Sequence, residues 1–293
     1  MQLSSKSLSS FCASKKQPRV TCKAAAIAQK SLSGTMASLK KRGKVAFIPF
    51  LCAGDPDLET TALAVERLDK IGADVIELGV PYSDPLADGH VIQNAATRSL
   101  EKGTTLDKVI DMVKQISPKV KAPIVLFTYF NPILKKGVDN YAKILKDAGV
   151  SGLLVPDIPL EETDIVREAC SKQGVELILL TTPTTPISRM KEITAKSQGF
   201  VYLVSVTGVT GARTSVEGRV KDLVQSLKSV SNKPICVGFG VSKPEHADEI
   251  VRMGAEGVIC GSALVRVLGE TQDKAKGLEE MEALAKSLRA VIP

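Results

Sequence analysis

The sequence predicts an α/β protein built as a single (β/α)8 TIM barrel with a disordered N-terminal extension. Eight short runs of apolar and β-branched residues alternate with longer segments of helical period, and this alternation predicts a parallel sheet covered by helices. Eight strands are the number that closes a barrel. A doubly wound open sheet is the alternative. No dinucleotide-binding glycine fingerprint follows the first strand, and Gly-rich turns concentrate after the last ones, so the barrel is favoured.

The predicted strands are mostly continuous apolar runs, as expected for a parallel sheet that is covered on both faces. They span residues 45–51, 74–79, 124–129, 152–156, 176–181, 200–205, 235–238 and 257–260. Segments between them place apolar side chains at i, i+3 and i+4, which predicts helices over residues 60–73, 106–116, 138–149, 162–174, 186–197, 220–230 and 244–255. Glycines are expected just after four helices and prolines at the start of two: Gly72, Gly149, Gly174, Gly254, Pro186 and Pro244.

Residues 1–35 form the predicted extension, and residues 36–293 form the predicted catalytic barrel. The first acidic residue of the chain is Asp55, whereas the segment before Lys40 is rich in Ser, Lys and Ala. A hydroxyl-rich, basic segment without a long apolar stretch is typical of a plastid transit peptide. The composition therefore predicts a chloroplast location, with an ordinary disordered tail as the alternative.

The overall composition argues against several classes of function. No run approaches the ~18 uninterrupted apolar residues of a membrane span. The net charge of +7 lies partly in the extension and aromatic residues make up only 4% of the chain, so no basic, aromatic-rich stripe indicates nucleic-acid binding. The six cysteines and two histidines show no metal-ligand spacing. We therefore expect neither a metal site nor a disulfide framework.

The segment DVIELGVPYSDPLADGHVIQ, residues 74–93, carries the clearest chemical signal. Glu77 lies near the end of an apolar strand, and Asp88 lies in the loop that follows. Because barrel strands place their C-terminal ends at the ligand site, Glu77 is expected in the barrel mouth, where two carboxylates divide proton chemistry between them. The alternatives are a polar residue satisfied inside a barrel layer for Glu77 and an ordinary Asp-Gly turn for Asp88.

Three Gly-rich turns lie where barrels commonly bind phosphate, at residues 208–211, 238–240 and 261–262. Glycine permits close backbone approach to an anion, and the Ser262 hydroxyl adds a donor. Together with Glu77 and Asp88, these turns predict proton-transfer chemistry on a phosphorylated small substrate without metal or nucleotide. Isomerase, epimerase and lyase all remain open on these grounds.

Several motifs of the chain resemble those of a known family. The motifs ELGVPYSDPLADG, FNPIL, VPDIPLEE, LLTTPTTP, GVTGAR, VGFGVSKPEH and VICGSALV are similar to those of the tryptophan synthase α subunit family, particularly its plant plastid form and the plant indole-3-glycerol-phosphate lyases. The resemblance runs from about residue 38 to the C-terminus. It implies a (β/α)8 barrel that cleaves indole-3-glycerol phosphate to indole and glyceraldehyde 3-phosphate.

The resemblance also implies roles for individual residues. Glu77 matches the general acid/base that protonates C3 of the indole and then takes the glycerol hydroxyl proton, so burial is expected to raise its pKa. Asp88 matches the carboxylate that binds the indole N–H and should stay ionised. The other matches are a phosphate cradle (Gly211, Gly240, Gly261 and Ser262), an indole pocket (Phe50, Tyr129, Tyr202 and Phe239) and a loop residue that closes on Asp88 (Thr210). Ordinary barrel packing is the alternative for the aromatic residues.

One position departs from the family pattern: His90 follows Asp88-Gly89 where the family usually has proline. Proline stiffens a loop, so this substitution puts coupling to a partner in more doubt than the chemistry. A solvent-facing histidine without a role is the alternative.

The family resemblance implies no cofactor in this chain and a tryptophan synthase β subunit, carrying pyridoxal phosphate, as the partner. Two other functions remain open. One is a free-standing lyase that makes indole for specialised metabolism, and the other is an inactive barrel that only regulates a β subunit. Glu77 and Asp88 argue against the inactive barrel. An epimerase or an indole-glycerol-phosphate synthase is disfavoured, since the first usually needs metal ligands and the second an inward lysine.

Overall fold

The computed structural model describes residues 30–204, 213–238 and 240–293, with the side chains of residues 213–219 excluded. Eight parallel strands form a closed barrel in sequence order. Strand β1 pairs with β2 on one side and with β8 on the other, so the predicted barrel is confirmed and the open sheet is excluded. The strands are β1 Ala46–Cys52, β2 Ile76–Gly79, β3 Ile124–Phe127, β4 Gly152–Leu154, β5 Glu176–Thr181, β6 Val201–Val204, β7 Ile235–Gly238 and β8 Gly257–Cys260.

Alternate side chains of each strand pack into two different apolar layers. Ile48, Val125 and Ile259 belong to the cluster inside the barrel, whereas Phe47 and Leu78 belong to the layer between strands and helices. Both faces of these strands are thus largely apolar, which explains why the strands read as continuous hydrophobic runs rather than as alternating patterns.

Twelve α-helices surround or close the barrel within the described residues, and a short 3-10 turn at Leu160–Glu162 precedes the seventh. The glycines predicted at helix ends are confirmed: Gly72, Gly149, Gly174 and Gly254 have φ of 96°, 78°, 74° and 90°. The helices are α1 Leu32–Lys41, α2 Leu58–Ile71, α3 His90–Glu101, α4 Leu106–Ile116, α5 Phe130–Lys136, α6 Val138–Asp147, α7 Thr163–Lys172, α8 Ile187–Lys196, α9 Arg213–Val230, α10 Pro244–Arg252, α11 Ser262–Glu270 and α12 Lys274–Val291.

Helix α1 closes the N-terminal end of the barrel, opposite the predicted site. Its residues Leu32, Met36 and Leu39 are buried in the interior cluster, and a Cβ at Gly199 would lie 2.6 Å from Leu32. The carboxylate of Glu176 accepts hydrogen bonds from the Ser33 amide at 3.0 and 3.1 Å, which satisfies a free N–H of the first turn. The helix begins four residues before the domain boundary predicted at residue 36, and residues 1–29 of the predicted extension lie outside the described residues.

No helix in the described residues is both long and apolar enough to cross a membrane.

Candidate active site

Glu77 lies in the wall of the barrel, on β2 between Phe50 of β1 and Val125 of β3 in the strand register. Its neighbours Ile76 and Leu78 face the outer apolar layer, so the alternation of a strand turns Glu77 inwards. Only 1% of the residue is exposed, and neither carboxyl oxygen has a hydrogen-bond partner among the described residues. A buried carboxyl group without a partner among the described residues is uncommon and costly.

The surroundings of Glu77 favour the protonated carboxyl. Burial raises its pKa to about 8, and the negative charge of Asp88 contributes in the same direction. Both causes act against the charged form, because burial removes its hydration and a nearby like charge repels it. Glu77 therefore holds a proton at neutral pH while having no protein acceptor in the described chain to share it with.

Asp88 follows β2 in the loop to α3 and is held by a tyrosine. The Tyr129 hydroxyl donates to Asp88 Oδ2 at 2.8 Å and accepts from the Ala87 amide at 3.1 Å, so one side chain fixes two neighbouring residues of the loop. The ring of Tyr82 stacks on that of Tyr129 with centroids 4.9 Å apart. Burial raises the pKa of Asp88 to about 6, and the Tyr129 hydrogen bond opposes this shift. Asp88 is thus mainly ionised at pH 7, while Glu77 is mainly protonated.

A cavity of about 380 Å³ opens beside these two carboxyl groups. Its wall includes six of the predicted site residues: Phe50, Asp88, Tyr202, Gly240, Gly261 and Ser262. Glu77 is the register partner of the wall residue Phe50 on the neighbouring strand. Tyr129 is hydrogen-bonded to the wall residue Asp88. The predicted residues Thr210, Gly211 and Phe239 lie outside the described residues.

The part of the cavity formed by Gly240, Gly261 and Ser262 has the features of an anion site. Ser262 begins α11, Gly261 is its N-cap without a side-chain hydrogen bond, and the first turn has no acidic residue. The free N–H groups and positive end of a helix are suited to an anion. Gly240 has a φ of 82°, a left-handed backbone conformation that favours glycine. No group of three or more potential metal ligands occurs in the part of the chain that the structure describes.

Helix α3, which follows Asp88, is anchored to the loop after β1 by an ion pair whose carboxylate is buried. Arg98 Nε and Nη2 donate to the two carboxylate oxygens of Asp55 at 2.9 and 2.7 Å, and the Asp55 side chain is 1% exposed. The Ser99 hydroxyl donates to the Ala53 carbonyl at 2.7 Å. These bonds fix the helix whose first residues border the cavity.

His90 is exposed and forms part of the cavity wall as the first residue of α3. This is the helix position at which proline is best tolerated, because its N–H has no partner within the helix. Histidine therefore preserves the helix start where the family usually has proline. Sequence reasoning missed another cavity residue, Arg266, although it follows Ser262 by four residues and so lies on the same face of α11.

The fold and site define a class of protein: a (β/α)8-barrel enzyme with a protonated carboxyl, an ionised carboxylate and a glycine-flanked helix start around one cavity. Comparison with known proteins then gives the family. The model of the family "Tryptophan synthase alpha chain" matches residues 36–293, and the chain belongs to this family.

Similar proteins cover nearly the whole barrel. The Arabidopsis thaliana tryptophan synthase alpha chain is 56% identical over 261 residues, which is 89% of this chain and 95% of that protein. The Trichodesmium erythraeum protein of the same name is 53% identical over 263 residues, 89% of this chain and 99% of that protein. The Legionella pneumophila α subunit structure superposes with a TM-score of 0.82 at 36% identity, over 90% of this chain and 99% of that one. A chain from a structure of the Pyrococcus furiosus tryptophan synthase α2β2 complex gives a TM-score of 0.79 at 40% identity, over 84% and 99%.

Proposed function

We propose that this chain is a lyase that cleaves indole-3-glycerol phosphate to indole and glyceraldehyde 3-phosphate as the α subunit of tryptophan synthase. The observation that carries the proposal is the pair of carboxyl groups. Glu77 is buried, protonated and unpaired among the described residues, and Asp88 is ionised and fixed by Tyr129. A general acid must start protonated, and a carboxylate that stabilises a cation must be ionised, so the two roles require opposite protonation states.

The proposed reaction uses Glu77 twice. Its carboxyl proton is transferred to C3 of the indole, which interrupts the aromatic system and leaves a cationic ring. The resulting carboxylate then takes the proton of the glycerol hydroxyl next to the ring. As that O–H bond breaks, a C=O bond forms and the electrons of the breaking C–C bond return to the ring. Indole and the aldehyde leave, and Glu77 is again protonated.

The proposed role of Asp88 is to accept a hydrogen bond from the indole N–H and to stabilise the cationic ring. Phe50 and Tyr202 supply apolar and aromatic walls for the indole, and Tyr129 contributes through its bond to Asp88. Gly240, Gly261 and Ser262 receive the phosphate at the start of α11. Gly211 and Phe239 are proposed to complete the phosphate and indole sites, and Thr210 to meet Asp88 when the loop closes.

The proposed partner is a tryptophan synthase β subunit, which would carry the pyridoxal phosphate that this chain does not need. Support comes from the related Pyrococcus furiosus tryptophan synthase, an α2β2 complex characterised by mutual activation. The test is the steady-state rate of indole release by residues 30–293, with and without a plant β subunit. We expect slow release alone and an increase by orders of magnitude with the β subunit. High turnover that the β subunit does not change would instead identify a free-standing lyase, and no cleavage under either condition would refute the proposed reaction.

We also propose that the predicted extension, residues 1–35, directs the chain to the plastid stroma and is cleaved there upstream of α1, so that Leu32 stays in the interior of the barrel domain. The basic, hydroxyl-rich composition before Lys40 supports this proposal, and so does the similarity to plant and cyanobacterial proteins. The test is to express the full chain fused to a fluorescent protein in leaf cells and to sequence the N-terminus of the recovered product. Fluorescence in the cytosol with an intact N-terminus would contradict the proposal.

The pH dependence of kcat/KM should be bell-shaped, with limbs near the pKa values of the two carboxyl groups. Activity requires Asp88 ionised, so it should fall as pH decreases through about 6. It also requires Glu77 protonated, so it should fall as pH increases through about 8. The measurement is the initial rate of indole release from pH 5 to 9.5, at substrate concentrations well below KM. A profile that rises steadily through pH 8 would contradict the assignment of Glu77 as the initial acid.

Replacement of Tyr129 by Phe should move the acid limb of this profile to higher pH by about one unit, because a hydrogen bond to the charged form is lost. The direction follows from the observed bond, which lowers the pKa of Asp88 against the effect of burial. The control is Tyr82→Phe, which keeps the ring stacked on Tyr129 and removes only a hydroxyl bonded to Asn131. An unchanged acid limb in Tyr129→Phe would show that the hydroxyl does not tune Asp88.

A further inference from the structure

Arg266 carries a positive charge into the wall of the active-site cavity. It is exposed, borders the cavity together with Ser262 and Gly240, and lies one helical turn after Ser262 on α11. Its guanidinium has no ion pair or hydrogen bond with any residue that the structure describes. By contrast, Arg98 on the neighbouring helix α3 donates from Nε and Nη2 to the buried Asp55 carboxylate.

The charges around the cavity show what this guanidinium contributes. Besides His90, the described wall residues carry only two formal charges, those of Asp88 and Arg266. The backbone N–H groups at the start of α11 offer partial positive charge but no full one. Without Arg266, a phosphate dianion would enter a site whose remaining full charge is the Asp88 carboxylate. Like charges in a partly closed cavity repel more strongly than in bulk water, because less solvent screens them.

We propose that Arg266 is the cationic recognition residue for the phosphate group of the substrate. The inference rests on the proposed function and adds a charged partner to the glycine and serine cradle. Guanidinium groups are suited to phosphate because their N–H groups match its oxygens and their charge is retained at every working pH. Arg266 lies on the helix that begins at the cradle, whereas Glu77 lies on β2, which β1 separates from β8. Its effect is therefore on substrate binding and not on the proton transfers.

The test compares Arg266→Gln with the wild type in the αβ complex. We expect KM for indole-3-glycerol phosphate to rise about tenfold, as for loss of one charge-assisted contact, while kcat changes less than about threefold. The inhibition constant of glycerol 3-phosphate, which carries the phosphate but no indole, should rise by a similar factor. Arg266→Lys should recover part of both losses, because it restores the charge without the planar fork.

The control is Arg252→Gln, which removes the same charge at the opposite end of the molecule, where Arg252 ends α10 and pairs with Asp248. KM should be unchanged in this variant. Raising the ionic strength from 50 to 500 mM should also increase KM more for the wild type than for Arg266→Gln, since salt screens the attraction. Equal KM and equal glycerol 3-phosphate inhibition in the wild type and Arg266→Gln would overturn the inference.

Direct titration with glycerol 3-phosphate separates this inference from the proposed function. If the wild type binds this probe and Arg266→Gln binds it about tenfold more weakly, the recognition role stands whether or not the chain cleaves indole-3-glycerol phosphate. If the wild type cleaves the substrate and both chains bind the probe equally, the recognition role fails and the proposed function stands.

Discussion

Replacing Glu77 by Gln should reduce kcat for indole release at least about a thousandfold, within the range found when a general acid/base is removed. Glutamine keeps the size and polarity of the side chain but can neither donate a carboxyl proton to the indole nor take one from the glycerol hydroxyl. KM should change little, because glutamine fills the same space as Glu77 and phosphate binding does not depend on the carboxyl group. The measurement is steady-state indole release with the β subunit present. Wild-type cleavage by Glu77→Gln would exclude Glu77 as the acid/base.

The same variant should remove a component of the pH dependence of stability. The pKa of Glu77 is raised from 4.5 to about 8 in the folded chain, so between these values the folded state binds more proton than the unfolded state. Stability should therefore fall as pH rises from 4.5 to 8, by about 3 kcal/mol at pH 7 from this group alone. In Glu77→Gln this decline should be absent. Urea unfolding at pH 5, 6, 7 and 8 measures it, and parallel curves for the two proteins would contradict the raised pKa.

Much of the fold could be predicted from the sequence, because the strands of a parallel barrel appear as continuous apolar runs that are easy to recognise. Three of the eight predicted strands, at 176–181, 235–238 and 257–260, have the observed bounds, and the others differ by at most two residues at either end. Glu77 was identified for the same reason. A carboxylate inside an apolar strand is conspicuous, and the parallel arrangement brings the C-terminal ends of all strands to one edge.

Five observed helices were not predicted, α1, α3, α5, α11 and α12, and four of them were missed for identifiable reasons. Helix α1 lies in a region whose composition resembles a targeting segment. Its apolar residues are explained only by the structure, in which they pack into the N-terminal end of the barrel. Helix α5 is seven residues long and includes Pro132, which hides its period. Helices α11 and α12 follow the last predicted strand and pack on each other, and α12 also packs on α2. In α12, the spacing of Leu278, Met281, Ala285 and Leu288 did carry the signal.

Contacts in the site between residues that are distant in sequence could not be predicted and are known only from the structure. Tyr129 and Asp88 are 41 positions apart, and their hydrogen bond depends on how the loop after β2 passes over the end of β3. The placement of Tyr129 in the indole pocket stays a prediction, and the structure adds that its hydroxyl bonds Asp88 and the Ala87 amide. Arg266 was overlooked because an exposed arginine on a helix usually faces solvent, and only the cavity next to Ser262 distinguishes it.

Replacing Asp88 by Asn should reduce kcat by about a hundredfold to a thousandfold, the range for removing one group that stabilises charge in a transition state. The amide oxygen of asparagine can still accept the Tyr129 hydrogen bond, so the loop should keep its position. What is lost is the negative charge opposite the cationic ring. The unfolding temperature at pH 7 should stay the same or rise, because burial disfavours the ionised Asp88. Steady-state indole release and thermal unfolding measure the two effects, and a fall in both would point to a misfolded loop instead.

The residual activity of Asp88→Asn also tests whether the two carboxyl groups act on each other. The charge of Asp88 is one of the two causes that raise the pKa of Glu77. Once that charge is absent, Glu77 should lose its proton at lower pH, so the alkaline limb of the profile should shift below about 8. The acid limb should disappear, since no carboxylate remains at position 88 to be protonated. If the alkaline limb stayed in place, burial alone would set the pKa of Glu77. A shifted limb would mean that Asp88 both stabilises the cationic ring and keeps the acid protonated until the substrate arrives.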